Sequence, residues 1–344
     1  MAGINLRRSL FGGNDIAIDL GTANTLIYVK GVGVMVDEPT LIAVNKEDGS
    51  ILTVGEEAKK LVGRVPDSIK LVKPLRDGVI SEIEMAEELV KTLLTRAIGR
   101  SYSRPRIVMC VPNGVTSVEQ RSIETAAHGT GASEVYTVEE PMAASIGAGL
   151  QIYEPFGNMV IDIGGGTTEI AVIALAGIVC DKSVKIAGDV FTEDIVYYMR
   201  TQHNLSIGDR TAEKIKINIG SALDELDNPP EDMLVQGRDL LSGKPKEISI
   251  GYREIAKALD KSIIRIEESV METLSQTPPE LAADIYNTGI YLAGGGSMLR
   301  GLDKRISKKT DLPVFIAEDP LRAVVRGTGI TLKNIERYRS VLVK

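Results

Sequence analysis

Two stretches of the chain share one pattern. In "DIAIDLGTANTLIYV" (Asp15–Val29) an apolar run ends in an acid, Asp19, turns through Gly-Thr and starts a second apolar run. "MVIDIGGGTTEIAVI" (Met159–Ile173) does the same around Asp162. A carboxylate and a glycine run in the most apolar stretch of a chain are not what burial alone selects. Residues 15–46 predict strands at "DIAIDLG", "TLIYVKG", "GVGVMVDEP" and "TLIAVNK". Thr40 to Val79 is mixed, with turn signals at Asp48-Gly49 and Asp77-Gly78. "SEIEMAEELVKTLLTRAIG" predicts a helix opened by a Ser81/Glu84 capping box, with Ala86, Leu89, Val90, Leu93, Leu94, Ala97 and Ile98 on one face. "RPRIVMCVP" predicts a buried strand, and "SVEQRSIETAAHG" a helix boxed by Ser117 and Gln120. "EVYTVEEP" predicts a strand, and "PMAASIGAGL" a helix with Pro141 in its first position.

After Asn158 the pattern restarts. "NMVIDIGG", "TEIAVIAL" and "GIVCDKSVKIAG" predict strands, followed by a helix from about Asp189 to His203. Residues 205–253 are more polar, with a proline-rich turn at Asp227 to Pro230. A long helix is expected over Tyr252 to Gln276, then strand, glycine turn and helix in "GIYLAGGGSMLRGLDKRI", a short strand in "PVFIAEDP" and a helical tail from Leu321 to Lys344. Alternating strands and helices indicate an α/β architecture. The restart indicates two related domains, each presenting its turn to a shared cleft.

Composition narrows this picture. The 344 residues suggest about two domains. Trp is absent and Phe numbers only 4, so the core is aliphatic. A net charge of −7 gives no broad basic face for duplex nucleic acid, and no nucleic-acid partner is expected. Cys110 and Cys180 lie in apolar runs and are expected to be buried, reduced thiols. His128 and His203 are the only histidines, which argues against a His-based triad and places both on helix surfaces or ends. No run approaches the roughly 18 apolar residues of a membrane span. The apolar part of "MAGINLRRSLFGG" is too short for a signal peptide, so a cytoplasmic location is expected.

Backbone N–H groups in a glycine turn form an anion-binding nest, and threonine hydroxyls add donors. Gly21-Thr22-Ala23-Asn24 and Gly164-Gly165-Gly166-Thr167-Thr168 both qualify. Asp19 and Asp162 at the mouths of these turns would repel a phosphate unless a hydrated Mg²⁺ lay between. A single such unit is more simply a tight hairpin. Two copies in register, with a third glycine turn at Gly294-Gly295-Gly296, favour a nucleotide site. The chain has no G-x-x-x-x-G-K-[ST], which excludes a P-loop, and no complete G-x-G-x-x-G after a strand.

"DLGTANT", "DIGGGTTE" and "AGGGS" resemble the two phosphate motifs and the adenosine motif of the actin, heat-shock chaperone and sugar kinase superfamily. "NDIAIDLGTANTLIYVKG", "EEPMAASIGAG", "RTAEKIK", "TPPELAADI" and "LAGGGSMLRGLD" narrow the resemblance to the MreB family of bacterial actins, from Asn14 to about Ile330. The resemblance implies an actin-like α/β fold, with duplicated ribonuclease H-like domains and two small inserted subdomains around an ATP cleft. One large subdomain would be 1–39 with 79–150 and 321–344, and its small partner 40–78. The other would be 151–188 with 254–320, and its small partner 189–253.

By the same resemblance, the first phosphate loop falls on Thr22, Ala23 and Asn24, and the second on Gly164, Gly165, Gly166 and Thr167. Asp19 and Asp162 would hold Mg²⁺ through water. Glu213, Lys214, Ile215 and Lys216 would lie beside the ribose and base, and Gly294, Gly295, Gly296 and Ser297 would form the adenosine loop, with Met298 near the adenine. Glu140 would position the attacking water; the simpler role for it is to cap the helix opened by Pro141. Asn218 departs from the family, in which many members carry Glu.

The resemblance further implies an ATP/ADP-binding, weakly hydrolysing cytoskeletal protein that forms paired antiparallel protofilaments on the inner face of the cytoplasmic membrane. Its implied partners are itself, the transmembrane adaptor RodZ and cell-wall elongation proteins. Two segments are candidates for the membrane contact. One is the N-terminal arm with Met1, Ile4, Leu6, Leu10 and Phe11, interrupted by Arg7 and Arg8. The other is "GRSYSRPR", with Arg100, Tyr102, Arg104 and Arg106. The alternatives in the superfamily are a monomeric sugar or acetate kinase, for which the small subdomains look too compact, and a chaperone, which needs a peptide-binding domain after the ATPase.

Overall fold

A computed structural model describes residues 15–99, 104–112 and 116–343. The membrane-contact candidates Met1, Ile4, Leu6, Leu10, Phe11, Arg100 and Tyr102 lie outside the described residues. The first hairpin joins β1 (Ile16–Leu20) to β2 (Asn24–Val29), and β3 (Gly33–Pro39) extends it antiparallel. A small sheet follows from β4 (Ile42–Asn45), β5 (Ile51–Val54), the one-turn helix α1 (Glu56–Lys59) and β6 (Ile69–Val72). The ribbon of β7 (Leu75–Arg76) and β8 (Val79–Ile80) leads into α2 (Ile83–Ile98). Then β9 (Arg106–Val111), α3 (Ser117–Gly129), β10 (Glu134–Glu139) and α4 (Glu140–Ala148) complete the first half.

The second half opens with β11 (Asn158–Ile163), β12 (Thr168–Ala174) and β13 (Gly177–Val184). It continues through α5 (Gly188–His203), β14 (Leu205–Ser206), α6 (Asp209–Ile219), β15 (Met233–Asp239) and β16 (Pro245–Ile250). It ends with α7 (Tyr252–Gln276), α8 (Pro279–Thr288), β17 (Ile290–Ala293), α9 (Leu302–Thr310), β18 (Val314–Ile316) and α10 (Ala323–Lys333).

The repeat is real in three dimensions. One sheet runs β10-β9-β1-β2-β3 and the other β18-β17-β11-β12-β13. In each, a central strand carries an antiparallel meander on one side and two parallel strands on the other. The register repeats as well: Asp19 stands opposite Leu26, and Asp162 opposite Glu169 at the same offset. Parallel strands are covered on both faces, which is why β1, β9 and β11 are buried nearly throughout. One aliphatic core lies under α2, with Leu89, Val90 and Leu93 against Ile16, Ile18 and Ile107. A second lies under α5, α6 and α7. A third joins the two sheets through α4 and α10, with Ala143, Ala144 and Val324 meeting Ala17, Val160 and Ala171.

Several local expectations are corrected. The apolar face of α2 is buried as expected, but the helix starts at Ile83 after Glu82 and forms no Ser81/Glu84 box. The Ser81 hydroxyl instead donates to the Pro74 carbonyl at 3.1 Å. The Gln120 amide donates to Glu124 and Thr137 at 3.2 and 3.4 Å. Pro141 is the second residue of α4, since Glu140 already belongs to the helix. The tail is α-helical only to Lys333; beyond it lies a single 3₁₀ turn at Arg339–Val341, and Val343 exchanges backbone hydrogen bonds with Thr137. Arg106 opens β9, within the strand expected at "RPRIVMCVP", with its guanidinium on Asp15. Both thiols are free, yet only Cys110 is buried; Cys180 is half-buried on an edge strand. His128 and His203 sit in the last turns of α3 and α5, as expected. No helix of the described residues is long and apolar enough to cross a membrane.

Candidate functional site

The β1–β2 and β11–β12 turns close alike. The Gly21 N–H donates to the Asn24 carbonyl at 3.1 Å, and the Gly164 N–H to the Thr167 carbonyl at 2.9 Å. They also face each other: a Cβ on Gly165 would lie 2.6 Å from the Ala23 Cβ, and one on Gly166 would lie 3.0 Å from the Thr22 side chain. The glycines therefore serve close approach. Positive φ is not their reason, since among the glycines of the three turns only Gly294 has it, at 76°. Threonine hydroxyls brace the first turn: Thr40 donates to the Gly21 carbonyl at 2.6 Å, and Thr22 accepts the Gly78 N–H at 3.2 Å. The Asp77-Gly78 turn thus leans over both loops, with Gly78 also against Thr167.

The second turn is continued by α5, whose first N–H groups, from Gly188 and Asp189, donate to the Gly164 and Gly165 carbonyls at 3.1 and 2.7 Å. The Lys216 ammonium reaches the same corner, with the Gly188 carbonyl at 2.7 Å, Thr192 Oγ1 at 3.0 Å and Glu213 Oε2 at 2.5 Å. Across the gap, Lys73 pairs with Asp189 at 2.9 Å and ties the first half of the chain to the second. The third turn packs against the second acid: a Cβ on Gly294 would overlap Asp162 Oδ1. The Ser297 hydroxyl closes this turn on the Gly294 carbonyl at 2.7 Å, and Arg300 binds the Ile217 and Gly220 carbonyls at the end of α6.

Between the turns lie the carboxyl groups of Asp19, Asp162 and Glu140, which have no cationic partner among the described residues. Burial, then the charges of Asp162 and Asp37, raise Asp19 to about 7. Burial alone raises Asp162 to about 7. Glu140, in the first turn of α4, is pushed well above the carboxylate range by burial and then by Glu169, Asp19 and Asp162. Hard oxygen donors that repel one another in a buried site are what a hydrated Mg²⁺ fits. The neighbouring Cys110 thiol is pushed up by its burial first and then by these acids.

Comparison with known proteins decides the family. The family model described as "MreB/Mbl protein" matches residues 13–340. The chain belongs to the MreB/Mbl family. The cell shape-determining protein Mbl of Bacillus subtilis (strain 168) is 44% identical over 324 residues, covering 94% of this chain and 97% of that protein. The cell shape-determining protein MreB of Escherichia coli (strain K12) is 45% identical over 339 residues, covering 96% of each. The crystal structure of MreB5 of Spiroplasma citri bound to AMPPNP matches with a TM-score of 0.91 at 40% identity, covering 95% of this chain and 98% of that one. The MamK double helical filament matches the fold with a TM-score of 0.78 at 23% identity, over 93% of this chain and 99% of that one. The actin-like α/β fold expected from the sequence is the fold observed.

Within this MreB/Mbl chain, the structure brings together Asp19, Thr22, Ala23, Asp162, Gly164, Gly165, Gly166, Thr167, Gly294 and Glu140, with Glu213 and Lys216 at the adjoining corner. Asn24 adds the carbonyl that closes its turn and turns its amide to Asp37 at 2.9 Å. Lys214 and Ile215 do not join them through their side chains. Ile215 is wholly buried in the core and Lys214 is exposed, because only the i,i+3 pair Glu213 and Lys216 shares the face toward α5. Gly295 and Gly296 pack on Leu321 and Ile163, while Met298 is exposed. Asn218 is exposed, with its amide 4.0 Å from Met233 Sδ. The helix-capping role for Glu140 finds no support: the cap position is Glu139, with no side-chain hydrogen bond there. Sequence reasoning missed Glu169, Cys110 and the Asp77-Gly78 brace. Glu169 was findable from register alone, since it stands opposite Asp162; the first copy has Leu26 there, and comparing the copies hides it.

Proposed function

We propose that this chain is an ATP-binding, weakly ATP-hydrolysing cytoskeletal protein that assembles into actin-like filaments and helps determine cell shape. The observation that carries the reading is the pair of matched turns, Gly21–Asn24 and Gly164–Thr167, facing each other over buried, uncompensated acids. A relative 40% identical over nearly the whole chain, MreB5 of Spiroplasma citri, has been solved with AMPPNP and with ADP, which supports nucleotide binding by this chain. The cleft divides four subdomains: 1–39 with 79–150 and 321–344, 40–78, 151–188 with 254–320, and 189–253.

When bound, Mg²⁺ and ATP supply the phosphoryl group under attack and the positive charge that the acids lack. Asp19 and Asp162 would hold the metal through its waters. N–H groups of Thr22, Ala23, Asn24, Gly165, Gly166 and Thr167 receive the phosphate oxygens. Glu213 and Lys216 flank the sugar, and the Gly294–Ser297 turn and Met298 flank the base. Glu140, once deprotonated, accepts a hydrogen bond from water and aims it in line with the leaving oxygen. By this reading the chain's filaments are paired and antiparallel, lie on the inner face of the cytoplasmic membrane and engage RodZ and cell-wall elongation proteins. Family membership sets aside the monomeric kinase.

Sedimentation of the purified chain with and without Mg-ATP tests this reading. Nucleotide-dependent pelleting is expected. A chain that binds Mg-ATP yet stays in the supernatant at every concentration would contradict it.

A further inference from the structure

The carboxyl ends of three neighbouring strands in the first sheet each contribute one potential ligand. Asp19 is the penultimate residue of β1, Cys110 that of β9, and Glu140 follows β10 directly. The pairing β10-β9-β1 places them side by side, and one donor atom from each lies within 4.8 Å of the other two. Cys110 is 3% exposed and Asp19 9% exposed, and neither side chain has a hydrogen-bond or ion-pair partner among the described residues. Nothing in the ATP chemistry above uses the thiol, and a thiol beside two carboxyl groups is a donor set that Mg²⁺ does not select.

We propose that Asp19, Cys110 and Glu140 form a binding site for a thiophilic divalent cation of the Zn²⁺ class, distinct from the oxygen-only Mg²⁺ position between Asp19 and Asp162. Zn²⁺ binds thiolate at about 2.3 Å and carboxylate at about 2.0–2.2 Å, with four ligands in a tetrahedron. Tetrahedral ligands at those distances stand roughly 3.5 Å apart, so the three donors close up on binding, and the fourth position is left to water. On binding, the Cys110 S–H bond is lost, its proton passes to solvent and the sulfur pair is donated to the metal. The cation takes Asp19 and Glu140 away from the arrangement assigned to hydrolysis, so the two metals exclude each other.

Co²⁺, a coloured stand-in for Zn²⁺, reads the site directly in the full-length, metal- and nucleotide-free protein. A thiolate-to-cobalt charge-transfer band is expected in the wild type and in Cys180→Ala, displaced by Zn²⁺ but not by Mg²⁺. It should be absent in Cys110→Ala and in the similarly sized Cys110→Ser. Glu140→Gln should weaken Co²⁺ binding by at least about tenfold. A wild type that shows no band at saturating Co²⁺, or a band that survives in either Cys110 variant, overturns the proposal. Because no nucleotide is present, that failure is separate from any failure of the ATPase reading.

Discussion

Gly147 on α4 and Gly327 on α10 are pressed reciprocally into each other's helices. A Cβ on Gly147 would overlap the Ala323 carbonyl oxygen, and a Cβ on Gly327 would overlap that of Ala143. Only helices stripped of side chains at the crossing approach so closely, and this crossing lies in the core shared by both sheets. Gly327→Ala is therefore expected to cost about 1–3 kcal/mol or more through overpacking. Because α4 begins with Glu140, the same change should also slow hydrolysis. A thermal unfolding midpoint equal to that of the wild type would contradict the packing argument.

Asp15 gives a pH dependence of one sign. Burial by itself would raise its pKa, but the bidentate Arg106 guanidinium, at 3.1 and 2.5 Å, and Lys30 at 3.3 Å bring it below 3.8. The unfolded chain then takes up this proton before the native one does. The contribution is present above the ordinary carboxylate value and fades as pH falls through the native one. Arg106→Ala should lose about 1–2 kcal/mol near neutrality, discounted for the partly exposed guanidinium. Urea unfolding should show the gap to wild type closing in acid.

Asp162 gives the opposite sign. Its native pKa of about 7 lies above the ordinary 3.8, so the metal-free native state keeps a proton that the unfolded chain has lost. Stability therefore drains as pH rises between those values and levels off above them. Asp162→Asn should be more stable than wild type near pH 8, on the order of 2 kcal/mol, and equal to it near pH 4. The variant should also lose the Mg²⁺ dependence of nucleotide binding. Denaturation in a chelator, with nucleotide titrations alongside, checks both halves.

Gly165→Ala tests the meeting of the turns. The added methyl would lie 2.6 Å from the Ala23 Cβ and force the loops apart. Nucleotide affinity should fall at least about tenfold, the equivalent of 1.4 kcal/mol. Unchanged affinity by fluorescent-nucleotide titration would mean that the facing turns do not hold the phosphates.

Much of this arrangement was legible in the sequence because it rests on apolar periodicity. The Asp19 and Asp162 hairpins, the buried face of α2, the span of α7 and the repeat all follow from which positions avoid water. Local polar signals were less informative. The Ser81/Glu84 pattern has the right spacing for a cap, yet Ser81 finds a better acceptor in Pro74, which is distant in pattern and near in space. Strands β5, β6, β15 and β16 were not anticipated; their exposed, alternating residues carry little apolar signal. In the site, the backbone turns were readable. The partition of "AEKIK" into Glu213 and Lys216 facing α5, core Ile215 and exposed Lys214 needed the helix phase that only the packing of α5 supplies.

In the proposed function, hydrolysis by Glu140 and the paired turns belongs to the assembled, actin-like state. Phosphate release from Mg-ATP, followed as protein concentration is raised, tests it most directly. Release should appear only above a threshold concentration that coincides with the onset of pelleting. Glu140→Ala should bind ATP and assemble at a similar threshold, with slow release and longer-lived polymer. Release proportional to protein from the lowest concentration, or normal release by Glu140→Ala, would contradict the account.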